Sequence, residues 1–97
     1  MVTVEFARQR KRLSDEIAIE FDSVFEKRVS KIKDSALKEK VKKQIAKIVQ
    51  NPFSGKPMRF SRKGTREAYI SPFRLSYLYV QNKNMIIFLD LYHKDEQ

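Results

Sequence analysis

Arg74, His93 and Glu67 are the side chains of this 97-residue sequence best suited to chemistry on a charged substrate. A guanidinium keeps its charge and presents a planar fork of donors that matches two phosphate oxygens. Arg74 can therefore hold a phosphate; it can equally form a surface ion pair at the start of a strand. His93 is the single histidine, and histidine is the residue type that suits general acid or base work near neutral pH. A lone histidine at a strand end is more often simply exposed. Glu67 can pair with His93, act as a base, or form a salt bridge to its neighbour Arg66.

The charge around these residues narrows the substrate. Twenty-one Lys and Arg against twelve Asp and Glu give a net charge of +9, which attracts polyanions without sequence preference. Up to Asn51 the charges interleave, 13 basic and 8 acidic, as on solvated helix faces. From Lys56 to Arg74, six basic residues (Lys56, Arg59, Arg62, Lys63, Arg66 and Arg74) meet one acid, Glu67, with Phe60, Tyr69 and Phe73 interspersed. A cationic stretch that carries aromatics and lacks an amphipathic helical pattern suits nucleic acid better than a membrane surface. The plainer alternative is that lysine and arginine only keep the surface solvated.

Composition excludes several classes. With 41% hydrophobic and 34% charged residues, two glycines and three prolines, the chain is neither disordered nor collagenous. No apolar run approaches the roughly 18 residues of a membrane span, and no signal-type h-region follows Met1. Zero cysteines exclude a disulfide framework and a thiolate metal site, and one histidine argues against a zinc site. No metal, cofactor or membrane partner is expected, and a cytoplasmic location fits.

The elements that must position these residues divide near Asn51. All five glycines and prolines fall between Pro52 and Pro72, so the first half reads as helix-rich and the second as strands and turns. Ile17 to Phe21 alternates as a strand. Ser23 and Glu26 have capping-box spacing, and Phe25, Val29 and Ile32 predict a helix to about Lys33. Asp34 or Ser35 can cap a second helix with Leu37, Val41, Ile45 and Ile48 on one face, ended by Asn51-Pro52. Strands are predicted at Met58–Phe60, Thr65–Ile70, Arg74–Gln81 and Met85–Leu91, the last apolar enough for a central strand covered on both faces. Residues 1–15 form an N-terminal extension, an extra strand or a helix, before a domain spanning 16–97. The order β-α-α-β-β-β-β is that of an α+β domain, two helices packed on a mostly antiparallel sheet of four to five strands.

This order, with particular residues, resembles the RelE/ParE superfamily of toxin–antitoxin toxins. The matching pieces are Asn51-Pro-Phe-Ser-Gly-Lys-Pro-Met-Arg59, Arg62-Lys-Gly-Thr-Arg-Glu67, Pro72-Phe-Arg-Leu-Ser-Tyr77 and the strand end Leu91-Tyr-His-Lys94. The likeness runs from about Glu16 to Gln97. It implies a RelE-like fold and a ribosome-dependent mRNA endoribonuclease that needs no metal and uses the RNA 2′-OH. Such cleavage requires an activated 2′-OH, a stabilised phosphorane and a protonated 5′ oxygen. By resemblance Arg74 takes the catalytic arginine position, His93 the proton-carrying position of YoeB-like members, and Lys94 a basic position of RelE.

Departures qualify the likeness. Where RelE has basic residues on the strand before the arginine, this chain has Glu67 and Tyr69, and it lacks the RelE tail tyrosine. The implied catalytic set is Arg74, His93, Glu67 and Lys94, with Arg59, Arg62, Lys63, Arg66, Tyr69 and Tyr92 contacting RNA. Tyr69 or Tyr92 can stack on a base or simply pack in the sheet. The implied partners are an antitoxin with an acidic binding segment, in a hetero-oligomer, and the ribosome with its mRNA. ParE relatives inhibit DNA gyrase on the same fold, so a gyrase inhibitor and an inactive RNA- or operator-binding protein stay open as alternatives.

Overall fold

The computed structural model describes residues 17–59 and 64–96. The predicted extension over 1–15, the motif residues Arg62 and Lys63, and Phe60 lie outside the described residues.

Strand β1 (Ala18–Phe21) leads directly into helix α1 (Ser23–Ser30). Capping places the join one residue earlier than the Ser23–Glu26 spacing predicts. Asp22 is the extended cap residue, and its carboxylate accepts from the Val24 N–H at 2.8 Å. A carboxylate there satisfies a donor that the first helical turn leaves open. The helix stops at Ser30, short of the predicted Lys33, where the Lys31 N–H bonds back to Arg28 and Val29 carbonyls.

Helix α2 (Ser35–Gln50) is capped by Asp34, which accepts from the Ala36 and Leu37 N–H groups at 2.9 and 3.3 Å. Val41, Ile45 and Ile48 are buried along one face and Leu37 is half-buried, the stripe that the spacing predicts. The Asn51 N–H donates to Lys47 and closes the helix before Pro52.

Four more strands follow: β2 (Lys56–Pro57), β3 (Thr65–Ile70), β4 (Phe73–Val80) and β5 (Met85–His93). The second strand lies before the predicted Met58–Phe60. The sheet order is β1-β5-β4-β3-β2, and the expectation of a mostly antiparallel sheet needs correcting to a mixed one. Antiparallel pairs join β2 to β3, β3 to β4 and β4 to β5, whereas β1 lies parallel to β5. A parallel pair needs a long crossover, and the whole chain between Phe21 and Met85 supplies it.

The core lies between this sheet and the helices. Ile45, Ile48, Leu75, Tyr77, Ile86 and Phe88 are fully buried. Phe88 stacks on Phe21 at 5.4 Å between ring centroids and meets Phe25 and Tyr77 at 5.8 and 6.1 Å. Strand β5 is an interior strand, and up to Leu89 only one of its faces is buried: Ile86 and Phe88 are buried, while Met85, Ile87 and Leu89 are half-buried. Beyond a β-bulge, Leu91 and Tyr92 are both buried. Among the described residues the helices cover one side of the sheet, and no element covers the other.

Candidate functional site

Cross-strand register places the side chains of the open face. Glu67 lies opposite Ser76, Tyr69 opposite Arg74, and Arg74 opposite Tyr92, while Lys56 on β2 lies opposite Glu67. Directly opposed residues share a face of a sheet, so Lys56, Glu67, Tyr69, Arg74 and Tyr92 form one patch.

Within that patch Glu67 is the anchor. Its side chain is only 6% exposed, and its Oε1 lies 3.5 Å from an Arg74 guanidinium nitrogen. The Tyr92 hydroxyl donates to the other carboxylate oxygen, Oε2. Tyr92, Glu67 and Arg74 thus form a chain of polar contacts that ends at the surface, where the Arg74 side chain is 36% exposed. A buried carboxylate must be paired and hydrogen-bonded to persist as an ion, and here both oxygens are engaged. The Arg74 Nε is buried with no hydrogen-bond partner among the described residues. An unmade donor of this kind costs about 1–3 kcal/mol, so Glu67 alone does not satisfy the fork. Tyr69, 57% exposed, stands beside Arg74 as an open aromatic face.

His93 is elsewhere. It lies opposite Phe73, and the two rings meet edge-on at 5.5 Å on the helix side of the sheet. Its Nδ1 accepts from the Asp95 N–H at 3.1 Å and lies 3.6 Å from the Asp95 carboxylate. The pairing of Glu67 with His93 that the sequence allows is therefore replaced by Glu67 with Arg74 and Tyr92. The cause is a β-bulge. Tyr77 pairs with Phe88 but Ser76 pairs with Asp90, so Leu89 is an extra residue in β5. Strict alternation from Ile86 and Phe88 would aim His93 at the Arg74 face and Tyr92 into the core. One inserted residue exchanges the two. The sequence signal for it is Asp90, a lone acid in an apolar strand; its carboxylate accepts from the Leu91 N–H at 2.7 Å.

The remaining predicted residues divide as follows. Arg66 lies opposite Tyr77, on the helix side, and is committed to the 51–55 loop. It donates to the Phe53 and Gly55 carbonyls at 3.1 and 2.7 Å and covers the Phe53 ring at 5.1 Å. It thus pairs with neither Glu67 nor the open face. Arg59 is exposed beyond β2. Lys94 is exposed in the closing 3-10 turn (Lys94–Glu96), where its N–H donates to the Pro72 carbonyl at 3.0 Å. Arg62 and Lys63 lie outside the described residues.

Two features escaped the sequence reading. Lys56 joins the open face through its pairing with Glu67, and its signal was the charge density of the stretch it opens. Tyr77 is a buried clamp for the loop that delivers Lys56. Its hydroxyl accepts from the Gly55 N–H and donates to the Pro52 carbonyl, both at 2.8 Å. A Cβ at Gly55 would lie 2.5 Å from that hydroxyl, so only glycine allows the approach. Among the described residues no group of three or more His, Asp or Glu side chains could hold a metal ion.

Solved structures show the same architecture. A chain of the toxin–antitoxin complex RelBE2 from Mycobacterium tuberculosis superposes with a TM-score of 0.69 at 22% identity, covering 79% of this chain and 96% of that one. The isolated RelE toxin of E. coli gives 0.68 at 18% identity, over 82% and 86% of the two chains. A YoeB/ParE toxin from Agrobacterium tumefaciens gives 0.70 at 13% identity, over 78% and 96%. This chain has the RelE-like toxin fold. No family model and no curated protein matches the sequence itself. The RelE-like fold agrees with the likeness carried by the four sequence motifs, and at these identities it speaks for the fold alone. Among the described residues no helix is long and apolar enough to cross a membrane.

Proposed function

We propose that this RelE-like chain is the toxin of a toxin–antitoxin pair and cleaves mRNA on the ribosome, using the RNA 2′-OH as nucleophile. The observation that carries the reading is the Tyr92–Glu67–Arg74 chain on the open face of the sheet. Attack of the 2′ oxygen on phosphorus builds charge on the two non-bridging oxygens before the 5′ oxygen leaves. A guanidinium held in place beforehand stabilises that charge without reorganising. Glu67 orients Arg74 from below, and Tyr92 orients Glu67. Tyr69 offers a stacking surface for a base beside the phosphate, and Lys56 and Arg59 add attraction along the strand. The partner that holds the toxin in check is a cognate antitoxin, as in the toxin–antitoxin complexes RelBE2 and RelBE.

A second reading has a specific observation in its favour. The bulge separates Arg74 from His93, and a binding inhibitor, such as one directed at DNA gyrase, has no need of a joined acid and arginine. One experiment decides between them. Purified protein added to translating ribosomes is expected to give codon-phased mRNA cuts, with supercoiling by gyrase unaffected. Blocked supercoiling with intact mRNA would replace the ribonuclease by the inhibitor, and neither effect would leave a non-catalytic binding protein.

A further inference from the structure

The helix side of the sheet carries a cleft of about 970 Å³, between α1, the turn into α2, and the ends of β4 and β5. That lies at the upper end of the roughly 300–1,000 Å³ usual for small-ligand sites. Its two walls differ in chemistry. Lys27, Arg28 and Lys31 stand on one wall at the three- and four-residue spacing of adjacent helical turns, and Lys33 follows past the helix end. Phe73, Leu91, Ile32 and Leu37 supply an apolar side, on which the Phe73 ring is half-buried.

Folding accounts for only part of this charge. Lys27 and Arg28 suit the negative end of the α1 dipole, and Arg28 lies 3.4 Å from Asp90 in β5. Lys31 stands four residues from Lys27, a spacing at which like charges repel and destabilise a helix. Lys33 lies beyond the helix altogether. Asp34 is the one carboxylate lining the cleft among the described residues, and it is engaged in capping α2. A multiply charged anion relieves that repulsion, while the wall of Phe73 and aliphatic side chains takes a flat, apolar group.

We propose that this cleft binds a nucleoside triphosphate, with the phosphates on Lys27, Lys31 and Lys33 and the base against Phe73. One small molecule then satisfies both walls, by charge-assisted hydrogen bonds on one and ring contact on the other. A bare polyphosphate leaves the apolar wall wet. An RNA strand is the poorer fit, because the Tyr69 and Arg74 pair that suits it stands on the opposite face of the sheet. Phe73 and His93 adjoin Arg74 and Tyr92 in sequence but lie on the helix side, so the ligand does not displace RNA from Arg74. The site is thus independent of the toxin and ribonuclease readings.

The test is titration calorimetry of the full chain with ATP, tripolyphosphate, adenosine and a short single-stranded RNA at one salt concentration. ATP is expected to bind one to one, about tenfold or more tighter than tripolyphosphate or adenosine alone. Lys27→Gln together with Lys31→Gln is expected to weaken ATP binding by about tenfold or more while the unfolding temperature holds. Lys43→Gln with Lys47→Gln removes the same charge from exposed positions of α2 outside the cleft and should change ATP affinity by less than about twofold. Arg74→Ala should leave ATP affinity unchanged, and a nuclear Overhauser contact should join the adenine protons to the Phe73 ring. Equal losses in the two lysine pairs reduce the binding to net charge and overturn the site. Tripolyphosphate that binds as tightly as ATP, or absence of the contact to Phe73 at saturation, overturns it too. RNA that binds more tightly than ATP and is weakened by the Lys27 and Lys31 changes makes the cleft an RNA surface instead. Loss of ATP binding in Arg74→Ala places the ligand on the other face, and no binding at millimolar ATP removes the site.

Discussion

Arg74 is the residue on which the ribonuclease proposal turns. If it stabilises the phosphorane, Arg74→Ala lowers single-turnover cleavage by about 10²–10³-fold, the usual effect of losing one such donor. Arg74→Lys restores only part of it, since an ammonium keeps the charge and loses the fork. Full activity in Arg74→Ala would remove the site. Tyr92 and His93 give a sharper contrast, because they are sequence neighbours on opposite faces. Tyr92→Phe leaves the buried Oε2 of Glu67 without that donor, which destabilises the fold by about 1–3 kcal/mol and lowers the cleavage rate constant more than it raises KM. His93→Gln is expected to leave the single-turnover rate unchanged, since the imidazole sits against Phe73 and Asp95. Loss of cleavage in His93→Gln with Tyr92→Phe intact would reverse these assignments.

At the scale of elements, the 51–57 loop and strand β5 decide where functional groups stand. Tyr77 and Arg66 bind four backbone groups of the loop: the Pro52, Phe53 and Gly55 carbonyls and the Gly55 N–H. The bond from the Gly55 N–H to Tyr77 is buried, and a backbone group held away from water must be paired, which is why a buried tyrosine is committed to a loop. Tyr77→Phe is expected to cost roughly 1–3 kcal/mol in denaturant unfolding. Gly55→Ala forces either the loop or the ring to move and costs about 1–3 kcal/mol, as overpacking does. Both changes should weaken RNA binding through Lys56 without touching the Arg74 pair. Unaltered stability in both would mean the clamp contributes nothing. The two helix starts share one device, since Asp22 and Asp34 each accept a short hydrogen bond from the N–H two residues on.

For the molecule as a whole, the two sides of the sheet present different surfaces: a polar patch around Glu67 and Arg74 on one side and a cleft lined by lysines and apolar residues on the helix side. The net charge of +9 makes any RNA affinity strongly dependent on salt. Replacing Lys56 and Arg59 by Ala together is expected to reduce the slope of log affinity against log salt by about 0.7 for each phosphate that the chain no longer neutralises. Exposed lysine and arginine contribute little to stability, so the melting temperature should hold. An unchanged slope would place the RNA surface away from β2.

Much of this protein can be read from its residues in order. Period-3.6 spacing of Val41, Ile45 and Ile48, the absence of glycine and proline before Pro52, and the turn at Ser71-Pro72 are local signals. Local signals determine which element forms and roughly where it ends. They also supply the order of elements and the four motifs of the RelE-like resemblance. Neither the parallel pairing of β1 with β5 nor the partner of Glu67 is local. The first depends on where a crossover of more than sixty residues returns, between Phe21 and Met85. The second depends on one extra residue at Leu89, which reverses the facing of every side chain after it. Strand pairing joins residues far apart in sequence, so the company that Arg74 keeps was settled by the tertiary structure alone.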